Sequence, residues 1–257
     1  METLDHPFIV NYIKKFETKD YFSLLLEFCQ GGDLLHHCER IEKSKKEFSE
    51  TTVKFYISSL ILALDYIHEQ GYIYRDLKPE NVLIDSQGFP KLWDFGLSIS
   101  RSDIDFTKCQ KQCGSKEYFS PEIVNREVYD KEVDWWCLGI LAYELLFGQT
   151  PFKNPNIFTT HQNIKTQEPS FLKRNDLSKD CISFISQLLA KKKGNRLGRN
   201  GFSDFLEHPW LSNINWDDLE AKTVEPPYNI KKVSSSDTYF FCEEFTNRII
   251  PDEFLHF

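Results

Sequence analysis

The chain has 257 residues, which suits one large domain or one domain with an appendage. It carries 31 Lys and Arg against 39 Asp and Glu, a net charge of −8 that argues against a general nucleic-acid or membrane-surface binder. With 22 Phe, 11 Tyr and 5 Trp it can fill a sizeable core, so disorder throughout is excluded. The cysteines Cys29, Cys38, Cys109, Cys113, Cys137, Cys181 and Cys242 are odd in number and contain no C-x-x-C. That argues against a disulfide framework or a zinc site and fits a reducing, cytoplasmic setting. No basic-then-apolar signal opens the chain, and no apolar run reaches the ~18 residues of a membrane span.

In chain order, the first 30 residues read as strands, with Phe8-Ile9-Val10 and Phe22 to Leu26 short and apolar. Gly31-Gly32 breaks the second run, and Asp33 is placed to cap a helix beginning at Leu34. Ser49 caps a longer helix in which Val53, Tyr56, Ile57, Leu60, Ile61, Leu64 and Ile67 recur at helical spacing. Residues 71–95 read as loops and a small hairpin turning at Asp85-Ser86-Gln87-Gly88. Further helices are expected over 134–147 and 178–190. After Pro209 the pattern turns aromatic and irregular, as a tail wrapped over the domain would be.

The chemistry concentrates in Tyr74-Arg75-Asp76-Leu77-Lys78-Pro79-Glu80-Asn81, followed thirteen residues later by Asp94-Phe95-Gly96. Ser120-Pro121-Glu122, Asp134-Trp135-Trp136 and Arg196 come after them in order. A chance match to R-D-L-K-P-E-N is on the order of one in a billion per position if residues were equally common. With these motifs the sequence resembles the eukaryotic protein kinases. The resemblance implies an α+β, protein-kinase-like fold: a largely helical C-lobe, a residual part of the N-lobe sheet, and a wrapped C-terminal tail. It implies ATP-dependent phosphorylation of protein serine or threonine, with ATP and Mg²⁺ as cofactors. Asp76 would accept or orient the substrate hydroxyl proton, and Lys78 would offset charge on the transferring phosphate. Asn81 and Asp94 would supply the hard oxygen ligands Mg²⁺ prefers. Glu122 with Arg196 resembles the buried pair that anchors the activation segment. Asp134 resembles the acid that accepts catalytic-loop N–H groups.

Tyr74 and Cys113-Gly114-Ser115 resemble the basophilic AGC group, which includes cyclic-AMP-dependent kinase. So do the tail pieces Ile214-x-Trp216-x-x-Leu219, Pro226-Pro227-Tyr228, Phe241-Cys242-Glu243-Glu244-Phe245 and the terminal Phe254-Leu255-His256-Phe257. The implied domains are a kinase domain over 1–211 (partial N-lobe 1–28, C-lobe 29–211) and an AGC extension over 212–257. Glu27 to Cys29 would form the hinge for adenine, Leu83 the pocket floor and Phe241 its rim. Asp33 would touch ribose and a substrate arginine. Glu80 and Glu144 sit where the group reads arginines before the target residue, and Ser115 belongs to the substrate-facing segment. Expected partners are protein substrates with basic residues near Ser or Thr, and an upstream kinase docking through Phe254 and Phe257. No nucleic acid and no membrane are expected.

Several residues depart from the pattern. No G-x-G-x-x-G occurs, and the strand lysine and C-helix glutamate have no counterpart, because Met1 to Phe8 already matches the end of the C-helix and the next strand. The expectation is a fragment of a complete kinase; the alternative is a short, catalytically inactive docking or scaffold module. Lys111 stands where the group has its activating threonine. It brings positive charge to Arg75 where a phosphate would bring about −2. Ile99 replaces the lysine that helps hold that phosphate, and Thr107 is a candidate displaced site. Lys116 stands where the group has proline, which alters the pocket for the residue after the target. Trp93 precedes Asp94 where a smaller residue is usual; its indole either narrows the nucleotide pocket or packs elsewhere.

Overall fold

A computed structural model describes residues 3–17, 19, 22–103, 112–228, 240 and 241. Its axis is α2 (Glu50–Glu69), a helix of 20 residues whose first turn is capped by Ser49, with Oγ accepting Thr52 N–H at 3.1 Å. Val53, Tyr56, Ile57, Leu60, Ile61, Leu64 and Ile67 are all fully buried, as their spacing requires. They pack against α4 (Glu132–Phe147), and α4 packs in turn on α6 (Lys179–Leu188). Helix α4 is apolar on every side, so it is enclosed on every side, with Trp135, Trp136, Leu138, Ile140 and Leu141 fully buried. The helix expected from Ser178 is α6, with Ser178 Oγ accepting Cys181 N–H at 3.1 Å. The shorter helices are α1 (Leu34–Lys43), α3 (Pro121–Val124), α5 (Ile157–Thr166), α7 (Ser203–Leu206) and α8 (Trp216–Glu220).

Three two-stranded antiparallel sheets complete the described part. Strands β1 (Tyr12–Glu17) and β2 (Phe22–Leu26) pair near the start of the chain, and β3 (Tyr72–Ile73) pairs β6 (Ile99–Ser100). Strands β4 (Val82–Ile84) and β5 (Pro90–Leu92) form the hairpin expected around Asp85. Asp85 Oδ1 accepts the N–H groups of Gln87, Gly88 and Phe89 at 2.9–3.0 Å, so one carboxylate shapes the whole turn.

The first strand differs from expectation. Phe8-Ile9-Val10 is buried, but it makes only a single bridge to Leu92, with Val10 N–H on Leu92 O and Leu92 N–H on Phe8 O, both at 2.8 Å. The ladder strand is instead Tyr12–Glu17, whose lysines and open faces hide it from a search for apolar runs. The described part of the tail up to residue 228 lies over the domain. Helix α8 packs on α2, and Lys222 Nζ meets Asp85 Oδ2 at 2.8 Å. No helix among the described residues is long and apolar enough to cross a membrane.

Candidate active site

The loop after β3 is held from beneath. Asp134 is fully buried and accepts Tyr74 N–H at 2.9 Å, Arg75 N–H at 2.7 Å and His68 Nε2 at 2.7 Å. These bonds hold Arg75 in a left-handed backbone, φ +69°. The next side chain, Asp76, is thereby brought against Lys78 and Asn81. Asp76 Oδ2 takes Lys78 Nζ at 2.9 Å and Asn81 Nδ2 at 2.7 Å, and Asn81 Nδ2 also bonds the Asp76 carbonyl at 2.8 Å. Among the described residues Asp76 Oδ1 accepts no hydrogen bond. Gly114 closes over it at φ +90°, where a Cβ would lie 3.0 Å from the Arg75 carbonyl and 3.3 Å from that Oδ1. Ser115 lines the same crevice as Asp76.

Asp94 follows β5. It is exposed, has φ +53°, and its Oδ1 accepts Gly96 N–H at 3.0 Å. Burial pushes the Tyr74 phenol far above its ordinary value, and the charges of Asp76, Asp94 and Asp134 add to that. Tyr74 Oη donates to the Trp93 carbonyl. The Trp93 indole N–H reaches across to the Glu80 carbonyl at 2.9 Å, tying the end of β5 to the catalytic-type loop. Trp93 lines a cleft of about 440 Å³ with Tyr12, Lys15, Phe22, Leu24, Leu26, Asp94, Phe95 and Gly96. Glu27, Cys29, Leu83 and Phe241 do not line that cleft.

Glu27 carries a part-buried ion pair with Lys91, and Leu83 pairs with Lys91 in the hairpin and bridges Asp33. Burial pushes the Cys29 thiol up to about 12, so it is a protonated, unreactive group. Asp33 caps α1, its Oδ1 accepting His36 N–H at 2.8 Å. Phe241 stacks on Phe28 with ring centres 5.4 Å apart. Phe240 lies against Gly32, which has φ +69°; a Cβ there would come within 2.4 Å of the Phe240 carbonyl oxygen.

Burial raises the Glu144 carboxyl; the Tyr118 hydroxyl bond opposes this, and the charges of Glu80 and Glu117 reinforce it. Away from the cleft, Glu122 and Arg196 form a bidentate pair at 2.6 and 3.0 Å, both side chains at most 3% exposed. The Arg75 guanidinium bonds Leu97 O at 2.7 Å and Tyr129 Oη at 3.1 Å. Lys111, Thr107, Cys109, Cys242, Phe254 and Phe257 lie outside the described residues.

A family model described as the protein kinase domain matches residues 1–211. This chain belongs to the protein kinase domain family. The serine/threonine-protein kinase Sgk1 of Fundulus heteroclitus is 38% identical over 98% of this chain and 57% of its own length. Human Sgk1 is 37% identical over the same shares, and Protein kinase 2 of Dictyostelium discoideum is 40% identical over 92% of this chain and 48% of its own. These relatives make it an AGC-type kinase domain. The chain spans about half the length of the curated relatives it matches.

Within this kinase domain, sequence reasoning missed three supports. Lys91, 6% exposed, ties β5 to Glu27. His68 steadies Asp134 from the end of α2. Lys222 clamps the Asp85 turn. Each joins residues more than 60 positions apart, and nothing local in the chain marks such a pair.

Proposed function

We propose that this chain is the part of a kinase that binds substrate and positions the transfer of the ATP γ-phosphate to a protein serine or threonine. The observation that carries it is Asp76: one carboxylate oxygen is fully engaged by Lys78 and Asn81, and the other is left to accept a hydroxyl proton. As the substrate oxygen bonds to the γ-phosphorus and the bond to the β,γ-bridging oxygen breaks, the proton passes to Asp76 Oδ1. Lys78 holds Asp76 and supplies positive charge beside the phosphoryl group.

The donor set fits Mg²⁺. Asn81 spends its amide nitrogen on Asp76 and keeps its amide oxygen, and Asp94 spends only Oδ1 on a backbone N–H. Both remaining atoms are hard oxygens, and Mg²⁺ is ordinarily held by one or two such groups plus substrate phosphates. When bound, the ion neutralises charge on those phosphates.

In this reading Glu27 to Cys29 and Leu83 meet adenine, with Phe241 at the rim. Asp33, Glu80 and Glu144 read substrate arginines, and Ser115 faces the substrate. Residues 1–211 are the kinase domain, with the partial N-lobe at 1–28 and the C-lobe at 29–211, and 212–257 the AGC extension. The setting is cytoplasmic, and Phe254 and Phe257 dock an upstream kinase. The test is transfer of labelled phosphate to an Arg-containing Ser peptide by the full natural protein and its Asp76→Asn form. Loss of a positioned base should slow transfer by about 10²-fold or more. Equal rates would refute the assignment. A second reading, a docking module without catalysis, is favoured by Trp93, whose indole spans the route from Asp94 to Glu80.

A further inference from the structure

The segment between β2 and α1 leaves part of its backbone unspent. Glu27 N–H is bonded to Asn11 O at 3.0 Å, Gly31 N–H to Ile84 O at 2.8 Å and Gly32 N–H to Cys29 O at 3.2 Å. Among the described residues the Glu27 carbonyl and the Cys29 N–H have no hydrogen-bond partner. Cys29 is buried, and a buried N–H is ordinarily paired. An acceptor at 27 and a donor at 29 match the amino donor and ring-nitrogen acceptor of adenine. Guanine offers a carbonyl acceptor where adenine has its amino group.

Lys91 holds these two groups in place. Its ammonium donates to Glu27 Oε1, and the two side chains are 7% and 23% exposed. The Cys29 thiol donates to the same Oε1 at 3.8 Å. Glu27 is thus fastened twice, by its N–H on Asn11 and by its carboxylate on β5, and Cys29 is tied to that carboxylate. Lys91 stands directly opposite Leu83 in the hairpin, and cross-strand partners share a face. The cation therefore rises from the face that carries Leu83, the residue read above as meeting adenine. The bridge from Leu83 to Asp33 and the bond from Gly31 N–H to Ile84 O pin the far end of the segment to the same hairpin. Rotating the Glu27 peptide would pull its carboxylate off Lys91.

We propose that Lys91, acting through Glu27, is the positioning residue that makes this site select adenine over guanine nucleotides. This rests on the reading of Glu27 to Cys29 as the segment that meets adenine. The experiment measures the affinities of Mg-ATP and Mg-GTP for the full natural protein by titration calorimetry. Lys91→Met and the double variant Lys91→Met with Glu27→Met are measured beside it, and thermal melts are recorded for all three. The natural protein should bind ATP more tightly than GTP. Lys91→Met should weaken ATP binding by about 5- to 10-fold, the scale of one misaligned hydrogen bond, and leave GTP binding within about 2-fold. The double variant removes both charges, so it should melt close to the natural protein and still lack the ATP preference. That combination separates positioning from a merely structural role. An ATP-to-GTP ratio that the variants retain in full would overturn the inference and leave the adenine reading standing. Equal ATP and GTP affinities in the natural protein would overturn the adenine reading and this inference with it.

Discussion

Removing the Glu122 carboxylate should be among the most damaging changes in this chain. Arg196 is fully buried, and its donors are all spent: two on Glu122, one on Glu132 O at 2.8 Å, and two on Ala190 O at 3.2–3.3 Å. Its guanidinium also lies 5.1 Å from the Trp136 ring centre. Glu122→Ala leaves that cation buried and unpaired, a loss of about 3–5 kcal/mol. At a urea slope of roughly 2 kcal/mol per molar this moves the unfolding midpoint down by about 1.5–2.5 M. The double variant Glu122→Leu with Arg196→Met removes both charges and should recover most of the loss. Acidity provides a second arm. Burial would raise the Glu122 carboxyl, but the hydrogen bond and charge of Arg196 prevail and hold it below its usual value. A lowered folded value gives stability that is present above the unfolded value of ~4.3 and is lost as pH falls through the folded one. The gap between natural protein and Glu122→Gln should therefore narrow below about pH 4. A Glu122→Ala loss under ~1 kcal/mol, or a double variant no better than the single, would refute the account.

Two further outcomes are expected. Trp93→Thr frees the Glu80 carbonyl and should tighten nucleotide binding by up to ~10-fold, since the broken hydrogen bond is worth about 0.5–1.5 kcal/mol; unchanged affinity in titration calorimetry would dismiss an obstructing role. Gly32→Ala puts a methyl within 2.4 Å of the Phe240 carbonyl oxygen at a positive φ, and should cost about 1–3 kcal/mol and speed proteolytic cleavage near Phe240. An unaltered digestion pattern would show that Phe240 is not held there.

What could be read from the chain alone divides along sequence distance. Asp76, Lys78 and Asn81 lie within six consecutive positions, and their mutual bonds are local, so the motif carries the geometry with it. Helix α2 was legible because its buried face repeats with the helix period. Phe8-Ile9-Val10 misled because a buried apolar triplet satisfies one bridge as well as it satisfies a ladder. Tyr12–Glu17 was hidden because a strand open on both faces has no apolar stripe to betray it. Lys91 with Glu27, and Lys222 with Asp85, were out of reach because an ion pair across 64 or 137 positions leaves no local signature.

Arg75 and Asp94 both keep a left-handed backbone that side chains other than glycine adopt at a cost on the order of 1 kcal/mol each. A glycine at either position would relax the chain while deleting the guanidinium or the carboxylate. Selection for yield or heat tolerance alone would thus push these positions toward residues that empty the site. A stabilised library of this protein screened without an activity assay would be enriched in well-folded, silent molecules. Positions 75 and 94 are the ones to hold constant from the outset.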